Sequence, residues 1–154
     1  MTQVTGAFKV MCWEEKPYDE ASGQPKLTHA EVTHELLGGI EGEASIAYLM
    51  GYRPDNTASF VGLVRVTGAI GERSGSFVMQ DIGTFENGVA KGRWTVLPGL
   101  GTDGLRDIRG EGHFAATHDL VVIAGLGIID SLCIRVNRMR HKAALARVDI
   151  RACP

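Results

Sequence analysis

The stretch from Ala58 to Trp94 constrains the fold of this chain most strongly. It holds three runs in which apolar and polar residues alternate, separated by a glycine-bearing turn at 71–73 and by Asn87-Gly88. A period of two places successive side chains on opposite faces of a β-strand, and Asn-Gly is a strong signal for a two-residue hairpin turn. The stretch therefore predicts three consecutive antiparallel strands joined by tight turns.

Four more alternating runs extend the predicted sheet to seven strands, beginning at Gly6, Leu27, Ile40 and Arg109. Seven strands with no helix between them favour antiparallel pairing, because parallel neighbours need a long crossover. Glycines inside the runs suit the sharp bends of a small closed sheet. We therefore expect an all-β fold, a small antiparallel up-and-down β-barrel of about eight strands, whose closing strand must come after Phe114.

The C-terminal segment departs from this pattern. Residues 1–118 carry 10 basic and 15 acidic side chains, whereas residues 119–154 carry 6 basic and 3 acidic ones, with no aromatic residue and no glutamate. We therefore divide the chain into a β-barrel domain at 1–118 and an atypical segment at 119–154. Three interpretations of that segment stay open: a last strand followed by a basic helix, a partly disordered tail, or out-of-frame sequence.

Composition narrows the class of protein and its location. The net charge of −2, with charged residues at 22%, argues against nucleic acid as a partner, because phosphate binding needs concentrated Lys and Arg. The apolar run from Leu120 is interrupted by Asp130 and is too short to span a bilayer, and the N-terminus shows no signal peptide. Cys12, Cys133 and Cys153 form no C-x-x-C pair, which favours reduced thiols and a cytoplasmic protein.

Metal and cofactor sites find little support in the spacing of polar residues. His29 and His34 lie an odd interval apart, so a strand would point them to opposite faces. No set of three ligands can be assembled by spacing, and we expect no metal. The sequence Gly99–Gly104 matches G-x-G-x-x-G, but no helix follows to bind a pyrophosphate. We expect a loop there and no cofactor.

A small set of polar side chains falls on strand faces that otherwise look inward: His34, Tyr48, Tyr52, Asp81 and Trp94, with Cys12 as a minor member. Burying an ionisable group without a partner costs free energy, so His34 and Asp81 each need a hydrogen-bond partner or a wet cavity. Either these side chains are satisfied core residues, or they orient a ligand in a largely apolar pocket. In the second case Met50, Phe60, Phe77 and Met79 line that pocket together with Trp94.

Several long segments resemble a known family. They are GAFKVMCWEEKPYDE, IEGEASIAYLMGY, FVGLVRVTGAIGERSGSFVMQDIGTF, GVAKGRWTVLPGLGT and LRDIRGEGHF. Residues 6–114 resemble the bacterial domain-of-unknown-function family numbered 3224, whose members have an allene-oxide-cyclase-like β-barrel. The chain differs from that family at Asp81, where histidine is favoured, at Leu100, where serine is favoured, and in its closing strand. The resemblance implies the fold but no established activity.

Three functions remain open, and whether the protein is an enzyme is left undecided. The first is a small cytoplasmic β-barrel that binds a small apolar molecule. The second is a cofactor-free cyclase or isomerase, with His34 or Asp81 as the base and Tyr48 or Tyr52 as the proton donor. The third is a structural or interaction protein with a filled barrel. A homo-oligomer is compatible with all three.

Overall fold

The computed structural model describes Val4, residues 6–117, and the backbone of residues 121–129 and 132–135. Within these ranges the chain forms a single antiparallel sheet with its strands in sequence order. The strands are β1 (Gly6–Asp19), β2 (Leu27–Gly38), β3 (Glu41–Tyr52), β4 (Ala58–Ile70), β5 (Arg73–Glu86), β6 (Val89–Val96), β7 (Ile108–Thr117), β8 (Val121–Ile129) and β9 (Leu132–Arg135). The predicted all-β, up-and-down architecture is confirmed.

The sheet curls back toward its first strand through β8. This strand pairs with β7 along its length and meets β1 at the single pair Gly6 and Ile123. Closure in the described residues therefore amounts to one pair, not a full ladder between the two strands. An eighth strand after Phe114 is present as expected. The division at residue 118 stays a prediction. Of the segment 119–154, the structure describes strand backbone at 121–129 and 132–135, and the three interpretations of its remainder concern residues outside the described part of the chain.

Strand β1 contains a bulge that its sequence does not reveal. Val10 lies opposite His34, whereas Cys12 lies opposite Thr33, the next residue along β2, so Met11 is the extra residue. An extra residue shifts the register by one, and such a shift sends the following side chains to the opposite face of the sheet.

The bulge corrects the face assignment of three residues in β1. Trp13 lies opposite the buried Val32, so Trp13 and Glu15 face inward. Cys12 lies opposite Thr33 on the other face of the sheet, although it is itself buried. Cys12 is therefore not a member of the inward-facing polar set. It is also disulfide-bonded, which contradicts the expectation of reduced thiols and removes that argument for a cytoplasmic location.

Inward-facing residues of neighbouring strands line up in rows across the sheet. One row, here called the Asp81 row, consists of Tyr48 on β3, Gly62 on β4, Asp81 on β5 and Trp94 on β6. The adjacent row, here called the Phe60 row, consists of Met50, Phe60, Gly83, Gly92 and Phe114 on β3 to β7. Both rows thus combine large side chains with glycines.

The segment between β6 and β7 covers part of the sheet. The backbone N–H of Leu97 donates to the Val78 carbonyl, and that of Thr102 donates to the Ser76 carbonyl, both at 2.8 Å. A 3₁₀ turn at Asp103–Leu105 follows and buries Leu105 completely within the core. No helix in the described part of the chain has the length and hydropathy that crossing a membrane would need.

Candidate functional site

The centre of the candidate site is a buried hydrogen bond between Tyr48 and Asp81. The Tyr48 hydroxyl donates to Asp81 Oδ2 at 2.7 Å, and the two residues are 8% and 3% exposed. Burial raises the pKa of Asp81 to about 6, while the Tyr48 hydroxyl and the N–H of Ile82 act in the opposite direction. Burial and the neighbouring carboxylate raise the pKa of Tyr48 well above its ordinary value. Tyr48 is therefore a fixed donor at neutral pH.

A glycine makes this hydrogen bond possible. Gly62 on β4 lies between Tyr48 on β3 and Asp81 on β5 in the register. A Cβ atom at position 62 would lie 2.5 Å from the Ala47 carbonyl oxygen and 2.6 Å from Cδ1 of the Tyr48 ring. Because Gly62 has no side chain, the Tyr48 ring lies over β4 and its hydroxyl reaches the next strand.

Two buried polar atoms in the Asp81 row have no hydrogen-bond partner among the described residues. They are Asp81 Oδ1 and Trp94 Nε1. Asp81 and Trp94 face each other in the β5–β6 register, and Trp94 is 9% exposed. One atom is an acceptor and the other a donor. Unpartnered buried polar groups are rare in folded proteins and each costs about 1–3 kcal/mol.

His34 lies apart from Asp81. Its ring stacks on Phe8 with centroids 4.2 Å apart and planes 11° from parallel. Burial lowers the pKa of His34 to about 4, so the imidazole is neutral at pH 7. His34 faces Ala44, four residues before Tyr48 on β3, and no hydrogen bond joins His34 to Asp81 in the described part of the structure. The two residues proposed as alternative bases therefore lie at different positions on the inner face.

Tyr52 also lies apart from Asp81, in a group of hydrogen-bonded side chains around Glu15 that we call the Glu15 cluster. Its hydroxyl donates to Oε1 of Glu15 at 2.5 Å, and Glu15 accepts further hydrogen bonds from Thr28 at 2.6 Å and from Trp13 Nε1 at 3.0 Å. Burial works against ionisation of Glu15, but these hydrogen bonds and Lys26 outweigh it and lower its pKa. Burial and Glu15 raise the pKa of Tyr52 to about 12.

Glu15 and Trp13 could not be assigned to the inner face from the sequence, because their orientation depends on the bulge at Met11. Regular alternation through β1 would place Trp13 outward, and Met11 is not a glycine that would signal a bulge. The Glu15 cluster therefore became visible only once the pairing of β1 with β2 was known.

The predicted lining residues all face inward, but they are buried to different extents. Met50, Phe60 and Phe77 are buried, whereas Met79 is half-buried and packs against the core. Phe8 and Phe114 also face inward and are only half-buried. Solvent therefore reaches part of the inner face.

An open groove lies at another position on the surface. It has a volume of about 630 Å³ and runs from the β3–β4 contact at Gly42 and Gly68 to the loop at Thr102. None of its lining residues holds a buried polar side-chain atom without a partner. Across the described residues, no three His, Cys, Asp or Glu side chains cluster closely enough to hold a metal ion.

These features define a class, a single-sheet antiparallel β protein with a tyrosine–carboxylate pair in its core. The family described as "Protein of unknown function (DUF3224)" matches residues 4–121. The chain belongs to the DUF3224 family, and the resemblance noted in the sequence is confirmed. The likeness to an allene oxide cyclase barrel stays a prediction.

Among the solved structures similar to this chain is one from the same family, most of whose length the chain covers. It is the crystal structure of a protein with unknown function from the DUF3224 family of Shewanella oneidensis MR-1. The two share 22% sequence identity with a TM-score of 0.70, over 84% of this chain and 98% of the other. At that identity the likeness shows the fold alone. No curated protein matches the chain.

Proposed function

We propose that this protein binds a small, largely apolar molecule on the inner face of its sheet, and that the molecule carries one group that both donates and accepts a hydrogen bond. The observation that carries the proposal is the pair of buried, unpartnered atoms Asp81 Oδ1 and Trp94 Nε1. A hydroxyl group fits this pair, because its hydrogen would go to Oδ1 and its oxygen would accept from Nε1.

The charge of Asp81 favours such a ligand. With a pKa of about 6, the carboxylate is mostly ionised at pH 7 and accepts a charge-assisted hydrogen bond, which is stronger than a neutral one. Tyr48 occupies Oδ2 and orients the carboxylate, so that Oδ1 is the oxygen left for the ligand. Binding would recover the free energy that the two unpartnered atoms cost.

The surroundings of the pair suit an apolar body. Phe60 and Met50 lie in the adjacent row, and Phe60 packs edge-on against Tyr48 with ring centroids 5.2 Å apart. Met79, two residues before Asp81 on the same face of β5, is half-buried. A concave, mostly apolar surface with few polar groups is typical of small-molecule sites.

A cyclase or isomerase activity is the second candidate, and one observation favours it. A carboxylate with a pKa of about 6 is suited to proton transfer near neutral pH. In this case Asp81 is the base, and Tyr48 is a positioning residue because its hydrogen is already donated to Asp81. His34 and Tyr52 have no part in this version, since His34 stacks on Phe8 and Tyr52 is bound to Glu15.

A paired-ligand binding experiment tests the proposal. Native mass spectrometry first shows whether the purified protein retains a small molecule. Isothermal titration then compares a medium-chain alcohol with its methyl ether, which keeps the acceptor oxygen and lacks the donor hydrogen. We expect the alcohol to bind about tenfold more tightly, which corresponds to one hydrogen bond of about 1.4 kcal/mol.

Two tryptophan variants supply the control. Trp94→Phe keeps an aromatic ring and removes the unpartnered Nε1, so it should weaken binding of both probes. Trp13→Phe removes an Nε1 that already donates to Glu15 and should leave the affinity unchanged. Equal affinity for alcohol and ether, or the same loss in both variants, would contradict the proposed site. If native mass spectrometry finds no retained molecule and neither probe binds, the result would favour a structural or interaction protein with a filled barrel.

A further inference from the structure

Two phenylalanine rings approach each other next to the buried Asp81. Phe60 on β4 and Phe114 on β7 have ring centroids 6.3 Å apart, with their planes 27° from parallel. The two strands between them carry glycines in the same row. A Cβ atom at Gly83 would lie 2.5 Å from Phe60 Cζ, and a Cβ atom at Gly92 would lie 2.5 Å from Phe114 Cε1. Aromatic rings therefore occupy the space that these two glycines leave on the inner face.

The Phe114 ring and the unpartnered oxygen of Asp81 border the same space. The position that a Cβ atom of Gly92 would take is 2.5 Å from Phe114 Cε1, 2.7 Å from Phe114 Cζ and 3.0 Å from Asp81 Oδ1. Cε1 and Cζ belong to the edge of the ring, and the edge of an aromatic ring carries partial positive charge. A ring edge beside Oδ1 is thus favourable for the carboxylate, whereas an aliphatic group at the same position lacks this attraction.

Phe114 is the less enclosed ring of the two. It is half-buried, whereas Phe60 is only 7% exposed. Rotation about χ1 from one staggered rotamer to another would move the Phe114 ring and leave the backbone of β7 in place. The space so vacated has the size of one phenyl ring, with Phe60 beside it and Asp81 Oδ1 close to its edge.

We infer that the ligand of the inner face is a phenol. Its aromatic ring takes the place of the Phe114 ring beside Phe60, and its hydroxyl donates to Asp81 Oδ1 and accepts from Trp94 Nε1. This assignment rests on the function proposed above and names the chemical class of its ligand. Because the ring space adjoins Oδ1, the hydroxyl is attached directly to the ring. An aliphatic alcohol makes the same hydrogen bonds and fills the ring space less well.

The contact with Tyr48 supports this class, because Asp81 already accepts a phenol there. The Tyr48 hydroxyl donates to Oδ2 at 2.7 Å, and the Tyr48 ring packs edge-on against Phe60 with centroids 5.2 Å apart. A phenolic ligand would repeat this arrangement on the other carboxylate oxygen. Phe60 would then contact both phenol rings.

Three probes of similar size separate the ring from the hydroxyl. Phenol has both, cyclohexanol keeps the hydroxyl without the aromatic ring, and toluene keeps the ring without the hydroxyl. In isothermal titration of the full chain at pH 7, phenol should bind about tenfold more tightly than either of the others, since each of them loses one contact. Trp94→Phe should weaken the binding of phenol and not that of toluene, because toluene has no acceptor for Nε1.

Phe114→Ala tests the position of the ring. This variant lacks the side chain that the ligand displaces and has a gap of ring size, so phenol and toluene should both bind about tenfold more tightly than to the wild type. Phe85→Ala is the matched control and should leave both affinities unchanged. Phe85 is 36% exposed and faces inward on β5 opposite Ala58 and Ala90. Circular dichroism confirms that both variants fold. Unchanged or weaker binding of phenol by folded Phe114→Ala overturns the assignment.

The possible outcomes separate this assignment from the function on which it rests. If cyclohexanol binds as tightly as phenol and Trp94→Phe weakens both, the hydroxyl site is supported and the phenol assignment is overturned. If toluene binds as tightly as phenol, the hydroxyl has no part in binding and both proposals fail. Both also fail if none of the three probes binds to the wild type or to Phe114→Ala.

Discussion

The Tyr48 hydroxyl donates to the Asp81 carboxylate across a whole intervening strand, at 2.7 Å. The hydrogen bond joins β3 to β5, and Gly62 on β4 leaves the space that the Tyr48 ring occupies. The absence of a side chain at Gly62 thus allows a polar contact between two strands that are not neighbours. The pair is central to both the stability of the sheet and the chemistry proposed for its inner face.

Adding one methyl group at Gly62 should disrupt this contact. Gly62→Ala places a Cβ atom within 2.6 Å of the Tyr48 ring, and overpacking of this kind costs about 1–3 kcal/mol. Urea unfolding measures the change. Gly51→Ala is the control, because its Cβ would lie at an ordinary 3.4 Å from Leu27, and it should be nearly neutral. Equal stability of the two variants would show that Tyr48 can move without cost.

Removing the Tyr48 hydroxyl should leave both Asp81 oxygens without a side-chain donor. Tyr48→Phe is expected to destabilise the protein by about 1–3 kcal/mol at pH 7. The pKa of Asp81 should also rise further above 6, because the Tyr48 hydrogen bond favours the ionised form. NMR titration of the carboxyl carbon measures this pKa. A pKa that stays at about 6 or falls would refute the assigned role of Tyr48.

Tyr48 and Tyr52, the two alternative proton donors named from the sequence, should behave independently. Tyr52→Phe removes a donor to Glu15 and not to Asp81, so we expect it to raise the pKa of Glu15 and leave that of Asp81 unchanged. Its cost in stability should add to that of Tyr48→Phe, since the two residues share no partner. A double-mutant cycle measures the coupling. A coupling well above about 0.5 kcal/mol would contradict the separation.

The pH dependence of stability should contain two opposing contributions. The pKa of Asp81 is raised from 3.8 to about 6, so the folded state holds more protons than the unfolded state in this range. The contribution of Asp81 is complete below pH 3.8 and is lost as the pH rises through 6. The pKa of His34 is lowered from 6.5 to about 4. Its contribution is present above pH 6.5 and is lost as the pH falls through 4.

Each shift corresponds to about 3 kcal/mol, since one pKa unit is worth about 1.4 kcal/mol. The two contributions nearly cancel between pH 4 and 6, and these two groups should give the wild type a flat profile there. In the Asp81→Asn variant only the His34 contribution remains, so stability should rise with pH over this range. In the His34→Gln variant only the Asp81 contribution remains, so stability should fall with pH. Urea midpoints at several pH values measure these slopes, which are independent of any constant cost of the substitution. Parallel slopes in both variants would contradict the assignment.

Face assignment was the part of the site that could be predicted from alternation. Asp81, Trp94, Tyr48 and His34 all face inward as expected, because a strand with a period of two and one buried face leaves little choice of orientation. Alternation through β1 was wrong after Met11, since a bulge formed without a glycine leaves no local signal. For that reason the alternation places Trp13 and Glu15 on the outer face and Cys12 on the inner face, the reverse of their observed positions.

The sequence by itself determined the all-β class, the order of the strands, and the inward direction of Asp81, because these follow from local alternation and from the turn at Asn87-Gly88. Only the tertiary structure decided which inward side chains meet. Tyr48 reaches Asp81 because the registers of two strand pairs bring both opposite Gly62, and Tyr52 binds Glu15 because a bulge turned that residue inward. Register and bulges depend on pairing between distant segments, and alternation within one segment carries no information about its partner.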